Sequence, residues 1–587
     1  AWKVFSHMAV RNVITWSTMI AQCAKHGQRE EALVLFSSML EEGILPNSFT
    51  FMSILSACTC LRFAKNGRYV HARITGSEVE THPYMWNALT NMYGRWGVLD
   101  EADAAFDVNS KQSVSAWNII LAAHVHHGKL DDASQIFEKM LDEDIVPDTA
   151  TFTSILSVYA NQIKLTKGMD IHSIIVSVGF ESDLTVANSL INMYGKCKCF
   201  STALKLLREM SETDVVAWNT LISSYCDDKC SNEARLVFQQ MVQEGRAPNE
   251  ITYSCILDTF SEGRQVLTEG KRIHSRVFFQ SNVVITTSLV NMYGNCGSLQ
   301  DALEAFHERK VQNVLLWNSI FAVCNQYDKG EEVLNLFVEM HRDEAITPDN
   351  FTLSNVLSAC SSQVALREGR KIHNLSVEYN FTQDTVVGTA LINMYGKCGS
   401  LEDARGIFDN IFIRDVVLWS AIINVYAQHG YGREVVQLFD EMKRGKAVPN
   451  KITYVSVLSA CSRAGLINEG RRLFSSMEHD HGIIPSKEHC DCMVDLLAKS
   501  GLLDEAEDLI RNMPFSTTYA SWSTILSACK NEGDIERGER IGMRLIELYP
   551  EEACLYVVLS QIYTLAGREI DAADILEKMK EKCAQKL

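Results

Sequence analysis

Tryptophan recurs along this chain at nearly constant intervals, and this regularity limits the possible folds more than any other feature. Six of the nine tryptophans are separated by 101, 101, 99, 102 and 103 residues. They are Trp16, Trp117, Trp218, Trp317, Trp419 and Trp522. The motif Asn-Met-Tyr-Gly also returns, with spacings of 101, 99 and 102 residues. Such a period is typical of repeat proteins, in which one small structural unit is stacked many times.

Each period divides into three shorter units. The landmarks Trp16, Phe51, Trp86 and Trp117 are 35, 35 and 31 residues apart. Within a unit such as Val215–Asn249, apolar residues recur at helical spacing on both sides of a polar break, and a Pro-Asn step ends the second helix. One helix pair cannot bury these apolar stripes, but stacked neighbours can. The sequence therefore predicts an all-α fold, a superhelical solenoid of tandem helix-turn-helix repeats with roughly 34 helices.

Composition argues against several other classes of protein. The 587 residues include 55 Lys and Arg against 73 Asp and Glu, a net charge of −18, and 47% are hydrophobic. No apolar run reaches the roughly 18 residues of a membrane helix. The 18 cysteines are dispersed and are predicted to be reduced thiols, without disulfides or zinc. Histidines recurring once per period at His71, His172, His274 and His373 cannot converge on one ion. We predict no metal, cofactor or catalytic residue.

Three types of unit alternate along the chain. One type reads WSTMIAQCAKHGQREEALVLFSSMLEEGILPN, a longer type contains TLSNVLSACSSQVALREGRKIH, and a shorter type contains TALINMYGKCGSLEDARGIFDNIFIRD. The Trp-Leu-Gly-Tyr pattern of tetratricopeptide units is absent. The chain instead resembles the pentatricopeptide repeat (PPR) family, in its plant subgroup that cycles through standard-length (P), long (L) and short (S) repeats. The likeness covers essentially the whole sequence.

The pattern changes near the C-terminus, to SWSTILSACKNEGDIERGERIGMRLIELYPEEACLYVVLSQIYTLAGREIDAADILEKMKEK. This resembles the E-type extension of organellar RNA-editing factors. The resemblance implies a remnant of a truncated short repeat at 1–12, an array of P, L and S repeats at 13–518, and a tetratricopeptide-like E extension, expected to be truncated, at 519–587. The array would hold about 15 repeats.

Cytidine deaminase domains often follow such an extension, and their zinc site needs His-x-Glu and Cys-x-x-Cys motifs. Neither motif occurs after Tyr519. The chain as given is therefore not expected to be an enzyme. A deaminase domain of the DYW type is expected to act in cis beyond the chain or in trans from another polypeptide.

The resemblance also assigns roles to residues, because PPR arrays recognise about one base of single-stranded RNA per repeat. The contacts come from the fifth and last residues of each repeat. Asp at the last position accepts from the N–H of U or G, whereas Asn donates to the ring nitrogen of C or A. Asn at the fifth position implies a pyrimidine, and Ser or Thr a purine. Carried over, Ser17 with Asn47 implies A, Asn87 with Ser113 C, Asn118 with Asp148 U, Asn188 with Asp214 U, Asn219 with Asn249 C, Thr287 with Asn313 A, Asn318 with Asp349 U, Thr389 with Asp415 G, and Ser420 with Asn450 A.

The L repeats and the last S repeat are left unassigned, so the implied target is A-x-C-U-x-U-C-x-A-U-x-G-A-x-x, with the edited C beyond the last repeat's base. The second residues of the P repeats, Ile14, Val216, Leu315 and Val417, would wedge between bases, and Ser115 departs from this pattern.

Asn, Asp and Ser at helix starts are also common as caps, which is the alternative for each assigned residue. Tryptophan is predicted to pack in the core, the alternative being a stacking platform for bases.

The implied function is a sequence-specific RNA-binding protein that selects a site for C-to-U RNA editing in a plant mitochondrion or chloroplast, without catalysing the modification. Its partners would be single-stranded organellar RNA, the deaminase domain and accessory editing factors, and no membrane. Two alternatives stay open. The net charge favours a helical scaffold that binds protein partners, and a PPR factor for transcript processing or stabilisation is a variant of the first function. Basic pairs such as Lys271-Arg272, Arg370-Lys371 and Arg471-Arg472 are either phosphate contacts or a solvated helix face.

Overall fold

The computed structural model describes all residues except 1, 3, 4, 6, 9, 81, 109–112, 211–213, 261–263, 278–281, 309–312, 343–345, 514–518 and 584–587; for 83, 264, 265, 581 and 583 it describes the backbone alone. The described residues form 34 α-helices and one turn of 3-10 helix at Leu61–Phe63, and none of them lies in a β-strand. The predicted all-α fold is confirmed.

The helices are numbered here in chain order. They are α1 (Val13–Lys25), α2 (Arg29–Glu41), α3 (Ser48–Ala57), α4 (Ala64–Ile74), α5 (Pro83–Trp96), α6 (Leu99–Asp107), α7 (Val114–His126), α8 (Leu130–Asp142), α9 (Thr149–Gln162), α10 (Leu165–Val178), α11 (Leu184–Lys196), α12 (Phe200–Glu209), α13 (Val215–Asp227), α14 (Ser231–Gln243), α15 (Glu250–Asp258), α16 (Arg264–Val277), α17 (Val283–Asn295), α18 (Leu299–His307), α19 (Val314–Gln326), α20 (Gly330–Arg342), α21 (Asn350–Ser362), α22 (Leu366–Glu378), α23 (Thr385–Lys397), α24 (Leu401–Asn410), α25 (Val416–Gln428), α26 (Gly432–Arg444), α27 (Lys451–Ala464), α28 (Ile467–His481), α29 (Lys487–Lys499), α30 (Leu503–Asn512), α31 (Tyr519–Glu532), α32 (Ile535–Leu548), α33 (Ala553–Leu565) and α34 (Glu569–Cys583).

The chain forms two compact units, residues 1–288 and 289–587. Within each unit, odd-numbered helices pack against the even-numbered helices that follow them and against the next odd-numbered helices. This is the contact pattern of a solenoid, in which each helix pair buries its apolar stripe against adjacent pairs. The predicted solenoid of tandem helix pairs is therefore confirmed within each unit.

A short sequence motif fixes where the first helix of each L repeat begins. Proline precedes an Asn or Asp that serves as the N-cap, and Thr stands three residues after the cap. The side chain of the cap accepts the backbone N–H of this Thr, whose hydroxyl in turn faces the backbone N–H of the cap. Such a reciprocal capping box satisfies two otherwise unpaired donors at a helix start. It occurs at α3, α9, α15, α21 and α27.

Five of the six periodic tryptophans are buried core residues, and the sixth, Trp522, is partly buried against the core. Trp16, Trp117, Trp218 and Trp317 are 2, 2, 1 and 2% exposed. Phe106 meets Trp117 edge-to-face with ring centroids 4.8 Å apart, and Phe408 meets Trp419 in the same way at 4.6 Å. Edge-to-face contacts of this kind add about 0.5–1.5 kcal/mol to the burial of the rings. The prediction that these tryptophans pack in the core is confirmed, and at 1–2% exposure these four cannot serve as a stacking platform.

Three of the recurring histidines bond to tyrosines of the Asn-Met-Tyr-Gly motif. The bonds join Nδ1 of His71, His172 and His373 to the hydroxyls of Tyr93, Tyr194 and Tyr395 at 2.7, 2.9 and 2.8 Å. Burial lowers the pKa of each of these imidazoles. They are hydrogen-bonded structural residues, and they join the second helix of an L repeat to the first helix of the following S repeat.

The described cysteines are free thiols. Burial raises the pKa of Cys58 and of Cys461 to about 12, so both are protonated at neutral pH. In the part of the chain that the structure describes, no cluster of His, Cys, Asp and Glu could hold a metal ion. Nor does any described helix have the length and apolar character needed to span a bilayer.

Beyond residue 518 the helix pairs continue as α31 to α34. Apolar residues of α31 and α32 share one core cluster with α29 and α30. Glu507 on α30 is only 6% exposed, and it accepts hydrogen bonds from Arg511 at 2.7 Å and from Arg540 on α32 at 2.9 Å. An apolar core and a buried carboxylate therefore both connect the C-terminal helices to the preceding repeat.

Candidate nucleic-acid interface

The last residue of a repeat lies at the N-cap of the next odd-numbered helix. Asn47, Asp148, Asp214, Asn249, Asn313, Asp349, Asp415 and Asn450 each accept a backbone N–H from the third helical residue. Ser113 caps α7 without a side-chain hydrogen bond. The cap alternative is therefore correct as a description of eight residues. It does not oppose base contact, because a carboxylate or amide uses one heteroatom for the cap and keeps a second.

The structure brings the fifth and last residues of three P repeats into direct contact; we call these two residues of any repeat its selection pair. The amide Nδ2 of Asn118 donates to Oδ1 of Asp148 at 2.9 Å, although the two residues are 30 positions apart. Nδ2 of Asn219 donates to Oδ1 of Asn249 at 2.9 Å. Nδ2 of Asn318 donates to Oδ1 of Asp349 at 3.0 Å. Each contact joins an odd-numbered helix to the start of the next one.

A threonine that sequence reasoning missed completes each of these contacts. It is the third residue of the following L-repeat helix, and its hydroxyl donates to Oδ1 of the fifth-position Asn. The distances are 2.6 Å for Thr151 to Asn118, 2.6 Å for Thr252 to Asn219 and 2.7 Å for Thr352 to Asn318. All three threonines are 0% exposed. The recurring sequence Pro-Asn or Pro-Asp, two residues, then Thr was the available signal.

Capping decides which atom of the last residue is left for a ligand. Oδ1 of Asn249 accepts from Asn219 and from the N–H of Thr252 and lies 3.0 Å from the Thr252 hydroxyl, so its Nδ2 is the atom that remains outside this network. In Asp148 the corresponding three contacts also converge on Oδ1, and Oδ2 takes part in none of them. Asn249 thus presents a donor where Asp148 presents an acceptor.

The Asp148 carboxylate is held in its charged form. Burial acts to raise its pKa, but hydrogen bonds from the Thr151 backbone, the Asn118 amide and the Thr151 hydroxyl outweigh burial and lower the pKa below its ordinary value. A carboxylate that is ionised at neutral pH can only accept hydrogen bonds. It would accept a hydrogen bond from an N–H on a base edge, and it would repel a ring nitrogen that carries a lone pair.

Serine in the fifth position gives a different arrangement. Oγ of Ser17 lies 2.6 Å from the hydroxyl of Thr50 and 3.4 Å from Oδ1 of Asn47. Oγ of Ser420 lies 2.7 Å from the hydroxyl of Thr453. Thr453 forms the capping box of α27 together with Asn450. The short serine side chain therefore reaches the buried threonine and leaves more space in front of the cap residue than Asn does.

The selection pairs of the S repeats are looser. Nδ2 of Asn188 is 3.4 and 3.5 Å from the two carboxylate oxygens of Asp214, and Oδ1 of Asn188 is buried without a hydrogen-bond partner. No hydrogen bond joins the other described pairs, Asn87 with Ser113 and Thr389 with Asp415. Thr287 donates to the carbonyl of Val283 in its own helix. Sequence placed these residues at matching positions, but it could not show that their contacts differ from those of the P repeats.

Two cavities open beside selection pairs. One of 410 Å³, in residues 1–288, is lined by Asn118, Asp148, Ser115 and Arg95, among others. The other, of 330 Å³ in residues 289–587, has walls that include Thr389 and Asp415. Both volumes lie in the range of small-ligand pockets, about 300–1,000 Å³.

The four predicted wedge residues are exposed. Ile14, Val216, Leu315 and Val417 are 67, 56, 58 and 59% exposed. Each lies three residues before the fifth-position residue of its helix, and residues at this spacing share one helix face. Within each of the two units, exposed apolar side chains beside polar selection pairs form a row that can enclose planar groups. Ser115 is also exposed, and it interrupts the row.

Sequence reasoning missed that the row continues through L and S repeats. Their second residues are also exposed and apolar: Phe49, Tyr84, Ile251, Val284, Phe351, Val386 and Ile452. The signal was available, since each stands two positions after the last residue of the preceding repeat. The row is broken at three successive repeats, where Ser115, Ala150 and Thr185 hold the position, and again in the last S repeat, where Glu488 holds it.

The last residues of two L repeats are engaged differently. Asp183 caps α11 through Oδ1, and its Oδ2 accepts from the hydroxyl of Thr149, the first residue of the same repeat, at 3.1 Å. Asp384 caps α23 in the same way, and Nδ2 of Asn350 donates to its Oδ2 at 3.0 Å. Both carboxylate oxygens are thus used within the protein.

Charged side chains form a separate row on the even-numbered helices. Arg370 pairs with Asp403 at 3.0 Å and Arg472 with Asp440 at 3.5 Å, in each case joining one even-numbered helix to another. Lys443 pairs with Asp480 at 2.9 Å. The basic pairs of the L repeats thus lie on helices other than those that carry the selection pairs, and Arg370 and Arg472 are matched by acids.

Family models match segments distributed along most of this sequence. A model described as PPR repeat family matches residues 11–60, 112–161, 213–262 and 414–463. A model described as PPR repeat matches residues 84–108, 185–215, 284–308, 316–344, 389–413, 452–481 and 489–516. A third, described as E motif, matches residues 532–587. The resemblance to PPR repeats followed by an E-type extension is confirmed.

Curated relatives extend over the same length. The chain is 32% identical to the mitochondrial pentatricopeptide repeat-containing protein At3g53360 of Arabidopsis thaliana, over 100% of this chain and 77% of that protein. It is 31% identical to the chloroplastic pentatricopeptide repeat-containing protein DOT4 of Arabidopsis thaliana, over 97% of this chain and 65% of that protein.

Solved structures share the fold. The crystal structure of the pentatricopeptide repeat protein PPR10 from maize aligns over 98% of this chain and 84% of that chain, with a TM-score of 0.69 and 18% identity. PPR10 in complex with an 18-nt psaJ RNA element aligns over 98% of this chain and 85% of that chain, with a TM-score of 0.63 and 17% identity. At this identity, the likeness establishes the fold alone.

Proposed function

Because this chain belongs to the pentatricopeptide repeat family, we propose that it binds single-stranded RNA sequence-specifically and selects a site for C-to-U editing in a plant organelle. It does not catalyse the modification itself. The RNA complex of PPR10 supports RNA as the ligand. The E motif at 532–587 supports an editing role over processing or stabilisation of transcripts.

The observation that carries the proposal is the difference between Asn249 and Asp148 in otherwise equivalent sites. Both cap a helix through Oδ1 and both receive the amide of a fifth-position Asn at 2.9 Å. What remains is a donor in Asn249 and an acceptor in Asp148. The Watson–Crick edge of C carries a ring-nitrogen acceptor and that of U carries an N–H donor, so Asn249 matches C and Asp148 matches U.

The nine selection pairs with assigned bases then specify the target A-x-C-U-x-U-C-x-A-U-x-G-A-x-x. The exposed second residues Ile14, Val216, Leu315 and Val417 contact the faces of the bases, and the selection pairs contact their edges. Stacking on such side chains is tolerant of sequence. Selectivity therefore rests on the polar pairs, and a large part of the affinity rests on the apolar row.

The proposal divides the chain into a remnant of a short repeat at 1–12, an RNA-binding array at 13–518 and an E extension at 519–587. The extension holds a DYW-type deaminase domain, in cis or in trans, or accessory editing factors beside the RNA. The names of the mitochondrial and chloroplastic relatives support an organellar location.

Binding of the purified chain to the predicted RNA tests the proposal. The comparison RNA exchanges U and C at the assigned positions, and both are measured at about 50 and 200 mM salt, because phosphate contacts weaken as salt rises. We expect at least about tenfold preference for the predicted RNA at both salt concentrations, as several discriminating contacts act together. Equal affinity for the two RNAs would contradict sequence-specific binding and favour the protein-scaffold alternative.

A further inference from the structure

Three repeats carry the same Asn and Asp selection pair, but their surroundings differ. Asn118 with Asp148 and Asn318 with Asp349 are followed by a buried threonine, Thr151 or Thr352. Asn188 with Asp214 is followed instead by Ala217. Where threonine is present, the Asn-to-Asp distance is 2.9 or 3.0 Å, and with Ala217 it is 3.4 Å or more. The pairing rule alone treats these sites as equivalent.

The threonine hydroxyl fixes the orientation of the amide. Thr151 Oγ1 is 2.6 Å from Oδ1 of Asn118, and it accepts the backbone N–H of Asp148 at 3.2 Å. Rotating the amide by 180° would place its oxygen against Oδ1 of Asp148, where two acceptors would face each other. The amide oxygen therefore faces Thr151, one N–H bonds to Asp148, and the second N–H points away from this network.

The site without threonine keeps the carboxylate, Asp214, but lacks the hydroxyl that holds the amide oxygen. Ala217 offers only its backbone N–H, which donates to Oδ1 of Asp214 at 2.9 Å. Oδ1 of Asn188 is consequently buried and without a partner. A buried unpaired acceptor is costly, so other orientations of the Asn188 amide are closer in free energy than those of Asn118.

We propose that the buried threonine at the third position of an L-repeat helix is a third determinant of base selection, which acts on the preceding P repeat by locking its fifth-position Asn. The inference rests on the proposed function. Thr151, Thr252 and Thr352 are 0% exposed, so they cannot touch RNA. They are positioning residues that set the direction of a donor hydrogen and of the neighbouring carboxylate or amide.

Variants of Thr151 test the proposal through discrimination between bases. The affinity of the full chain is measured for the predicted RNA and for the RNA with C in place of U opposite Asn118 and Asp148. Thr151→Val keeps the size of the side chain and removes the hydroxyl, and we expect it to lower the U-over-C ratio about fivefold, the effect of one lost hydrogen bond. Thr151→Ser restores the hydroxyl and is expected to retain the ratio.

The reciprocal variant, Ala217→Ser, places a hydroxyl beside Asn188. We expect it to raise the U-over-C ratio at the nucleotide opposite Asn188 and Asp214 and to leave the ratio opposite Asn118 unchanged. Thermal unfolding of each variant separates loss of fold from loss of selection, because a purely structural threonine would lower stability without moving the ratio.

The outcomes separate the inference from the function on which it rests. Wild-type protein that prefers U opposite Asn118 while Thr151→Val keeps the same preference would overturn the positioning role and leave RNA selection intact. Wild-type protein that fails to distinguish the two RNAs would overturn the proposed function, and the positioning role with it. A fall in the ratio with valine and its recovery with serine would establish the threonine as a determinant.

Discussion

The P repeat at 114–148 and the L repeat at 149–183 both end in an aspartate that caps the next helix, yet the two aspartates are not equivalent. Asp148 uses only Oδ1 in its network with Asn118 and Thr151. Asp183 uses Oδ1 for capping and Oδ2 for Thr149. The fifth residue of the L repeat, Thr153, donates its hydroxyl to the carbonyl of Ala150. The same residue type is thus open to a ligand in one repeat and occupied in the next.

This difference gives a physical reason for leaving the two L repeats that end in Asp183 and Asp384 unassigned. The first residue of the repeat determines whether the last carboxylate is bonded from within its own repeat in this way. Thr149 and Asn350 carry donors that reach the last carboxylate, whereas Val114 and Val314 begin the corresponding P repeats. Valine in the first position offers no such donor, so Oδ2 of Asp148 stays outside its network with Asn118 and Thr151, and Oδ2 of Asp349 is approached only by the amide of Asn318, at 3.2 Å. A polar one ties it to the protein.

The largest effect should come from exchanging the two aspartates for asparagine. Asp148→Asn turns an acceptor into a donor, so we expect the preference opposite this repeat to change from U to C, by about tenfold or more, since one well-placed base contact discriminates by about 1–3 kcal/mol. Asp183→Asn should leave base preference unchanged. Affinities for RNAs that differ at the two positions measure both effects, and a shift as large for Asp183 would erase the distinction between the repeats.

The apolar row should behave alike in both repeat types, in contrast to the polar pairs. Leu315→Ala in a P repeat and Phe351→Ala in an L repeat each remove an exposed side chain. We expect each to weaken RNA binding about fivefold, close to the lower end of measured stacking contributions, without altering base preference. Titration with the predicted RNA gives the affinity. Ala150→Ser, at a position already lacking a large side chain, is the control and should bind as the wild type does.

Helix capping should show a smaller and equal effect in the two repeats. Asp148→Ala and Asp183→Ala each remove a side-chain cap, which costs about 1 kcal/mol of local stability. Hydrogen exchange of the amides at the starts of α9 and α11 measures this cost. Protection that falls at only one of the two helices would mean that the two caps differ in strength, although each aspartate accepts backbone N–H groups through Oδ1.

The smallest expected effect is that of mild acid. The pKa of Asp148 is lowered by its hydrogen bonds, so the stability that these bonds add is present above the ordinary Asp pKa of about 3.9 and is lost only as pH falls through the lower folded value. Preference for U opposite Asn118 should therefore be constant between pH 7 and about 5. The Asp148→Asn variant, which cannot titrate there, is the reference. A loss of preference centred near pH 6 in the wild type alone would contradict a lowered pKa.

Sequence by itself determined the repeat and the fold class. The spacing of Trp16 to Trp117 is enough for this, because a periodic apolar pattern can be buried only by stacking identical units. The resemblance then placed Asn118 and Asp148 in the same site. Helix periodicity also placed Leu315 and Asn318 on one face. The exposure of Leu315 and the contact of Asn318 with Asp349 agree with this placement.

Only the tertiary structure decided which heteroatoms of those residues remain available. Asp148 and Asp183 look alike in sequence, and their difference comes from partners about 30 positions away in one case and 34 in the other. Thr151, Thr252 and Thr352 likewise act on a repeat to which they do not belong. The orientation of a carboxylate or amide depends on every donor packed against it, and in a solenoid these donors come from the far end of the same repeat and from the neighbouring repeat.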